Sequence, residues 1–94
     1  MDYAELSAPR ENNSAAISTS TTSAQSATLS ASDYVVTVTA LTFVKVGANP
    51  TAVASTCMAL APNMPYRIKG VKQDEKLAFI LPTGTGTAYI TPIV

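Results

Sequence analysis

The longest run of apolar and β-branched residues follows Asp33 and reads YVVTVTALTFVKV, residues 34–46. Tyr34, Val36 and Val38 fall on one face and the residues between them on the other, which is the two-residue period of a β-strand. Thirteen residues exceed the usual length of a single strand. We therefore predict a bend or bulge near Ala40.

A turn closes this strand region. The sequence Gly-Ala-Asn-Pro at 47–50 is the clearest turn in the chain, because Gly and Asn tolerate a positive φ and Pro50 has no amide hydrogen to give to a sheet. The next segment, 51–60, is rich in small residues and could form a strand or a short helix.

Three further segments have the pattern of strands. Residues 66–71 alternate polar and apolar side chains, 77–81 are continuously apolar, and 87–94 follow a Gly-rich turn. We predict that the first two form a hairpin across a charged turn, and that Pro92 places the last strand at a sheet edge.

The first third of the chain has a different composition. Residues 1–14 contain three of the six acidic residues and are predicted to form an extended arm. Residues 14–32 carry no charge, and eleven of these nineteen are Ser or Thr. We predict a tether that leads into a first strand near 26–30. The predicted organisation is an arm and tether, 1–32, followed by a β-sandwich domain, 33–94.

Short strands separated by turns at a spacing of roughly ten residues are typical of antiparallel sandwiches and small barrels. The predicted fold class is therefore all-β: a small antiparallel β-sandwich or barrel-like domain of about six to seven strands, with an extended N-terminal arm. A domain of this size buries only about two-thirds of its unfolded surface, so its stability margin is thin. Contacts with other chains would enlarge that margin.

The composition indicates where those contacts come from. Hydrophobic residues make up 47% of the 94-residue chain and charged residues only 13%, against about 25% charged in an ordinary soluble domain. A chain with so few ionic groups is expected to cover part of its exterior with neighbouring chains. We predict a homo-oligomer.

The residue types for most catalytic chemistry are missing. The chain has no histidine, which removes the most common general base and metal ligand. Cys57 has no cationic neighbour in the sequence and is interpreted as a small buried hydrophobe. Six basic and six acidic residues cancel, so nucleic acid is not an expected partner. We predict no enzymatic activity, no cofactor, no metal and no membrane association.

Six residues are the predicted partner contacts. An aromatic side chain near the acidic terminus could anchor the arm in a pocket of a partner. The short basic concentration after Pro65 is interpreted first as a solvated face, and contact with an acidic patch on a partner is the second interpretation. The predicted contacts are Tyr3, Leu6, Arg10 and Ile17 in the arm and tether, and Arg67 and Lys69 in the sandwich domain.

Five strings from Asp33 onward, DYVVT, FVKVGANPTA, YRIKG, EKLAFI and GTAYITPI, resemble a small β-protein pattern of tailed-phage virions, the capsid decoration or cement proteins. FVKVGANPTA (Phe43 to Ala52) and its spacing to EKLAFI (Glu75 to Ile80) carry most of the resemblance, which covers about two-thirds of the chain.

The resemblance implies a virion structural protein that binds the major capsid protein and stabilises the capsid, as a trimer on the capsid surface with N-terminal arms contacting the shell. Synthesis in the host cytoplasm is the matching expectation. The alternative is a receptor- or glycan-binding β-module of a head fibre or tail. Exposed tyrosines and turn amides would then form the binding surface.

Overall fold

A computed structural model describes residues 15–93. Over this range the protein has eight β-strands and no helix, so the prediction of an all-β sandwich is confirmed. The structure has eight strands where about six to seven were predicted, because two short strands lie in the Ser/Thr-rich segment and had no recognisable sequence pattern. The strands are β1 (Ala15–Thr19), β2 (Ala24–Gln25), β3 (Ser32–Val38), β4 (Thr42–Gly47), β5 (Met58–Leu60), β6 (Tyr66–Val71), β7 (Lys76–Ile80) and β8 (Gly86–Ile93).

The strands pair as one long hairpin that has rolled up. β1 pairs with β8, β2 with β7, β3 with β6 and β4 with β5, all antiparallel. Rolling adds the pairs β3–β8 and β4–β7 and divides the strands into two sheets. The first sheet has the order β1-β8-β3-β6 and the second the order β2-β7-β4-β5. This is the eight-stranded jelly-roll arrangement.

The core lies between the sheets and follows the two-residue period. In β3, Tyr34, Val36 and Val38 are buried, whereas the residues between them are half-buried. In β7, Leu77 and Phe79 are fully buried and face the first sheet as part of the same core cluster. The predicted bend is confirmed, because β3 ends at Val38 and β4 begins four residues later.

The Ser/Thr-rich segment belongs to the sandwich, which corrects its interpretation as a tether. Its residues form β1, at an edge of the first sheet, and β2, at an edge of the second. The described fold therefore begins at Ala15 rather than at Asp33. The predicted strand near 26–30 is a bonded connection instead, in which the amides of Ser26 and Leu29 donate to the carbonyls of Leu77 and Glu75 at 2.7 and 2.8 Å.

Two further predictions are corrected. The segments 66–71 and 77–81 do not form a hairpin, because β6 lies in the first sheet and β7 in the second, and the charged turn crosses between the sheets. Pro92 does not mark an edge strand, because β8 lies between β1 and β3. Pro92 pairs with Tyr34 of β3 and lies past Ile90, where the described pairing with β1 ends. Its missing amide hydrogen is tolerated at that position.

The connection between β4 and β5, residues 48–57, folds back over the outward side of the second sheet. The Gln25 amide donates to Asn49 Oδ1 at 2.9 Å and to the Pro50 carbonyl at 2.7 Å, and the Ala52 amide donates to Ser23 Oγ at 2.9 Å. These bonds attach the connection to the β2 edge. The connection therefore crosses β7, the strand that lies between β2 and β4. Ala78, an outward residue of that strand, is consequently fully buried.

Candidate partner-binding surface

The structure describes three of the six predicted contact residues. Tyr3, Leu6 and Arg10 lie outside the described residues. Ile17 is partly buried and packs against the core from β1, so its side chain is chiefly structural. Arg67 and Lys69 are exposed on β6. Because β1 and β6 are the two edges of the first sheet, Ile17 lies far from the two basic residues.

The outward side of the first sheet has a continuous uncharged area across β1, β8 and the second half of β3. Paired residues of neighbouring strands point to the same side, so the register identifies its members. Across β1, β8 and the part of β3 after Asp33, they are small, β-branched or hydroxyl-bearing, apart from one tyrosine. This neutral face consists of Ala16, Ser18, Thr87, Tyr89, Thr91, Val35 and Thr37.

Tyr89 lies at the centre of the neutral face. It pairs with Ala16 of β1 on one side and with Thr37 of β3 on the other, and 49% of it is exposed. Its neighbours are too small to cover a phenol ring. Tyrosine offers a large rigid surface with one polar end, which makes it common at the centre of protein interfaces.

A charged corner borders the neutral face on the β6 side. The Arg67 guanidinium donates to Asp33 Oδ2 at 3.0 Å, and the Gly70 amide donates to Asp33 Oδ1 at 3.1 Å. The hydrogen bond from the Gly70 amide, and then that from Arg67, hold the pKa of Asp33 below its usual value. Lys69 adds a further positive charge nearby, so the corner as a whole is basic.

Candidate metal ligands do not cluster in the described part of the chain. Over residues 15–93 no group of three or more His, Cys, Asp or Glu side chains is placed to hold a metal ion. Cys57 is half-buried in the connection before β5, and its Sγ accepts a hydrogen bond from the Val53 amide at 3.3 Å. Among the same residues there is no apolar helix of membrane-spanning length.

Tyr89 was not among the contact residues predicted from the sequence, although the signal was present. Ala88 and Ile90 are apolar and buried, so a two-residue period places Tyr89 on the opposite side of the strand. Other exposed apolar side chains lie outside the neutral face, on strands of the second sheet and in the connections between strands. They are Leu41, Val46, Val53, Met58 and Met64.

The chain matches no protein-family model, and comparisons with curated proteins and with solved structures gave no match either. The resemblance to phage decoration proteins therefore stays a prediction from the sequence.

Proposed function

We propose that this protein is a non-enzymatic virion structural protein that decorates a phage capsid and stabilises it by binding the major capsid protein. The observation that carries the proposal is the neutral face of the first sheet, with Tyr89 at its centre. A surface of this kind is suited to burial against another protein. The sequence resemblance supplies the identity of the expected partner.

The physical case rests on the cost of desolvation. Burying a charged group at an interface costs several kcal/mol unless a partner compensates it, which is why charged residues are depleted at interface centres. The neutral face offers methyl groups and one aromatic ring, which are buried at low cost, and hydroxyls, which are buried at low cost where the partner supplies hydrogen bonds. The adjoining Arg67 and Lys69 are placed to act as a basic rim that orients an acidic partner surface.

The architecture is compatible with the proposal but does not decide it. Jelly rolls occur in viral capsid proteins and in lectins alike, and function depends on the site rather than on the fold. Stabilisation would follow from mass action. A protein that binds the assembled shell and not its free subunits shifts the equilibrium towards the shell, and many copies on one shell act together.

Co-sedimentation with assembled empty heads of the phage that encodes the chain tests the proposal. We expect the wild-type protein to pellet with heads, to ignore unassembled capsid subunits and to raise the temperature at which heads disrupt. Tyr89→Lys should weaken binding at least about tenfold, because a buried unpaired charge costs more than 1.4 kcal/mol.

Thr51→Lys is the matched control, since it adds the same charge on the connection that covers the second sheet, where Thr51 is exposed. It should bind heads as the wild type does. Failure of the wild-type protein to bind heads would overturn the proposed function. Equal binding by Tyr89→Lys and Thr51→Lys would show that the neutral face is not the docking surface.

A second candidate is glycan or receptor binding. One observation favours it: the exposed residue Tyr89 lies beside Thr37 and Thr87 on the neutral face, and an aromatic ring with nearby hydroxyls can stack on a sugar and hydrogen-bond to it. A glycan array separates the candidates. Specific retention that is lost in Tyr89→Ala, together with no binding to heads, would favour this function over capsid decoration.

A further inference from the structure

We propose that the protein self-associates through the edge of β1 that no described strand occupies, by antiparallel pairing with β1 of a second copy. The first sheets of the two copies then form one continuous eight-stranded sheet. This inference rests on the oligomeric part of the proposed function and names its surface, and it does not depend on the capsid as partner.

The four sheet edges differ in how they are protected. An exposed edge strand presents unpaired backbone amides and carbonyls, and proteins block such edges with short strands, charges, bulges or irregular backbone. In the second sheet, the edge strands β2 and β5 have only two and three residues. In the first sheet, β6 carries Arg67, Lys69 and a glycine with φ +78° at position 70, and its pairing with β3 shifts register between Ser32 and Tyr34.

The β1 edge has none of these devices within its described residues. Its sequence AAIST is uncharged and contains neither Pro nor Gly. All five residues pair with β8 in unbroken register, from Ala15 with Ile90 to Thr19 with Gly86. The strand is therefore regular, and its edge is accessible from Ala15 to Ser18, whereas Thr19 at its end is buried.

The chemistry of this edge fits a second copy of the same chain. An antiparallel strand pair obeys two-fold symmetry, so one edge can pair with its own copy. Residues 14–32 carry no charge, so the two copies meet without like-charge repulsion. With the axis at Ile17, Ala16 of each copy lies opposite Ser18 of the other. These side chains belong to the neutral face, so pairing joins the two faces into one surface.

The contact is small. A five-residue strand pair buries much less than the roughly 800 Å² per partner of a standard interface. We therefore expect reversible pairing at high protein concentration, strengthened where copies are held on a common surface. The contact produces pairs of molecules, whereas the sequence resemblance implies a trimer, so the mass of the complex distinguishes the two.

Sedimentation equilibrium of the full chain, over a concentration series that reaches the millimolar range, tests the inference. We expect a monomer–dimer equilibrium for the wild type. The double variant A16K/S18K should weaken association at least about tenfold, because it brings lysines opposite each other across the axis. The double variant T51K/T56K adds two charges at exposed positions away from this edge and should associate like the wild type.

A monomeric or trimeric wild type, or undiminished association of A16K/S18K, would overturn the inference. If A16K/S18K fails to fold, hydrogen exchange of the wild type decides, because the β1 amides should become more protected as concentration rises. Protection that appears only when assembled heads are added would mean that a capsid strand, and not a second copy, occupies the edge. A monomer that still binds heads would refute the pairing and leave the proposed function intact.

Discussion

The two sheets share one core but differ on their outward sides. The second sheet is covered by the 48–57 connection, which bonds to Gln25 and Ser23 at the β2 edge and leaves Ala78 fully buried. The neutral face of the first sheet has no such cover within the described chain. One sheet is thus completed by its own polypeptide, and the other presents a surface suited to burial by a different molecule.

The two sheets also differ in where their outward charged residues lie. The outward side of the second sheet carries Lys45 and Lys76 in addition to its covering connection. Across β1, β8 and β3, the first sheet has Asp33 as its one outward charge among the described residues, and Arg67 pairs with it. The uncharged area of the first sheet is therefore confined to β1, β8 and the part of β3 after Asp33, which is why the proposals above concern that area.

The largest effect is expected where the two sheets meet. Phe79 is fully buried and pairs with Val44 and Ala24. Phe79→Ala should lower the free energy of unfolding by about 3–5 kcal/mol, because it removes buried apolar surface and leaves a cavity. Since a domain of this size has only about 5–10 kcal/mol in total, urea denaturation should show a protein close to unfolding.

Tyr89→Ala is the matched comparison, since it truncates an aromatic residue on the outward side of the first sheet. We expect a loss of about 1 kcal/mol or less. A cost close to that of Phe79→Ala would contradict the assignment of Tyr89 to a free surface. It would mean that part of the chain already covers the neutral face.

The sequence predicted the elements whose signals are local. The run from Tyr34 to Val46 had the correct period and bend, and the turn at 47–50 ended the strand where β4 ends. Of the segment 51–60, which allowed either a strand or a helix, only Met58–Leu60 is strand. A turn with Ser55 at φ 75° occupies the preceding residues.

The errors arose where the determinant is not local. β1 and β2 have the composition of a linker and become strands because β8 and β7, more than fifty residues away, supply their hydrogen-bond partners. The turn after Val71 is as compatible with a hairpin as with a crossing between sheets, and only the rolled topology decides. Arg67 was predicted as a contact residue, but its ion pair with Asp33 could not be inferred from the sequence.

An intermediate effect is expected for the cover of the second sheet. Ala52 is buried, and its amide donates to Ser23 Oγ. Ser23→Ala leaves that donor without an acceptor and should cost about 1–2 kcal/mol, with faster hydrogen exchange and faster proteolysis within residues 48–57. Ser23→Thr keeps the hydroxyl and should restore both. Unchanged exchange at Ala52 in Ser23→Ala would refute the role of this bond in holding the cover.

The smallest effect is expected at the charged corner of the first sheet, and it depends on pH. The Gly70 amide and Arg67 hold the pKa of Asp33 below its ordinary value of 3.8. A carboxyl whose pKa is lower in the folded than in the unfolded state contributes stability above the unfolded pKa and loses it as the pH falls through the folded pKa. Stability should therefore decline on acidification from about pH 5 towards pH 2, and Asp33→Asn should lessen that decline.

The control for this prediction is Asp74→Asn, which removes one carboxylate from an exposed turn, where Asn tolerates the φ of 68°. Urea denaturation at several pH values should show the Asp33-dependent decline in this variant and not in Asp33→Asn. If the stability of both variants declines alike on acidification, the charged corner does not couple β3 to β6 through Asp33. The basic rim beside the neutral face would then consist of independent side chains, whose orientation a docking partner would have to fix at an additional entropic cost.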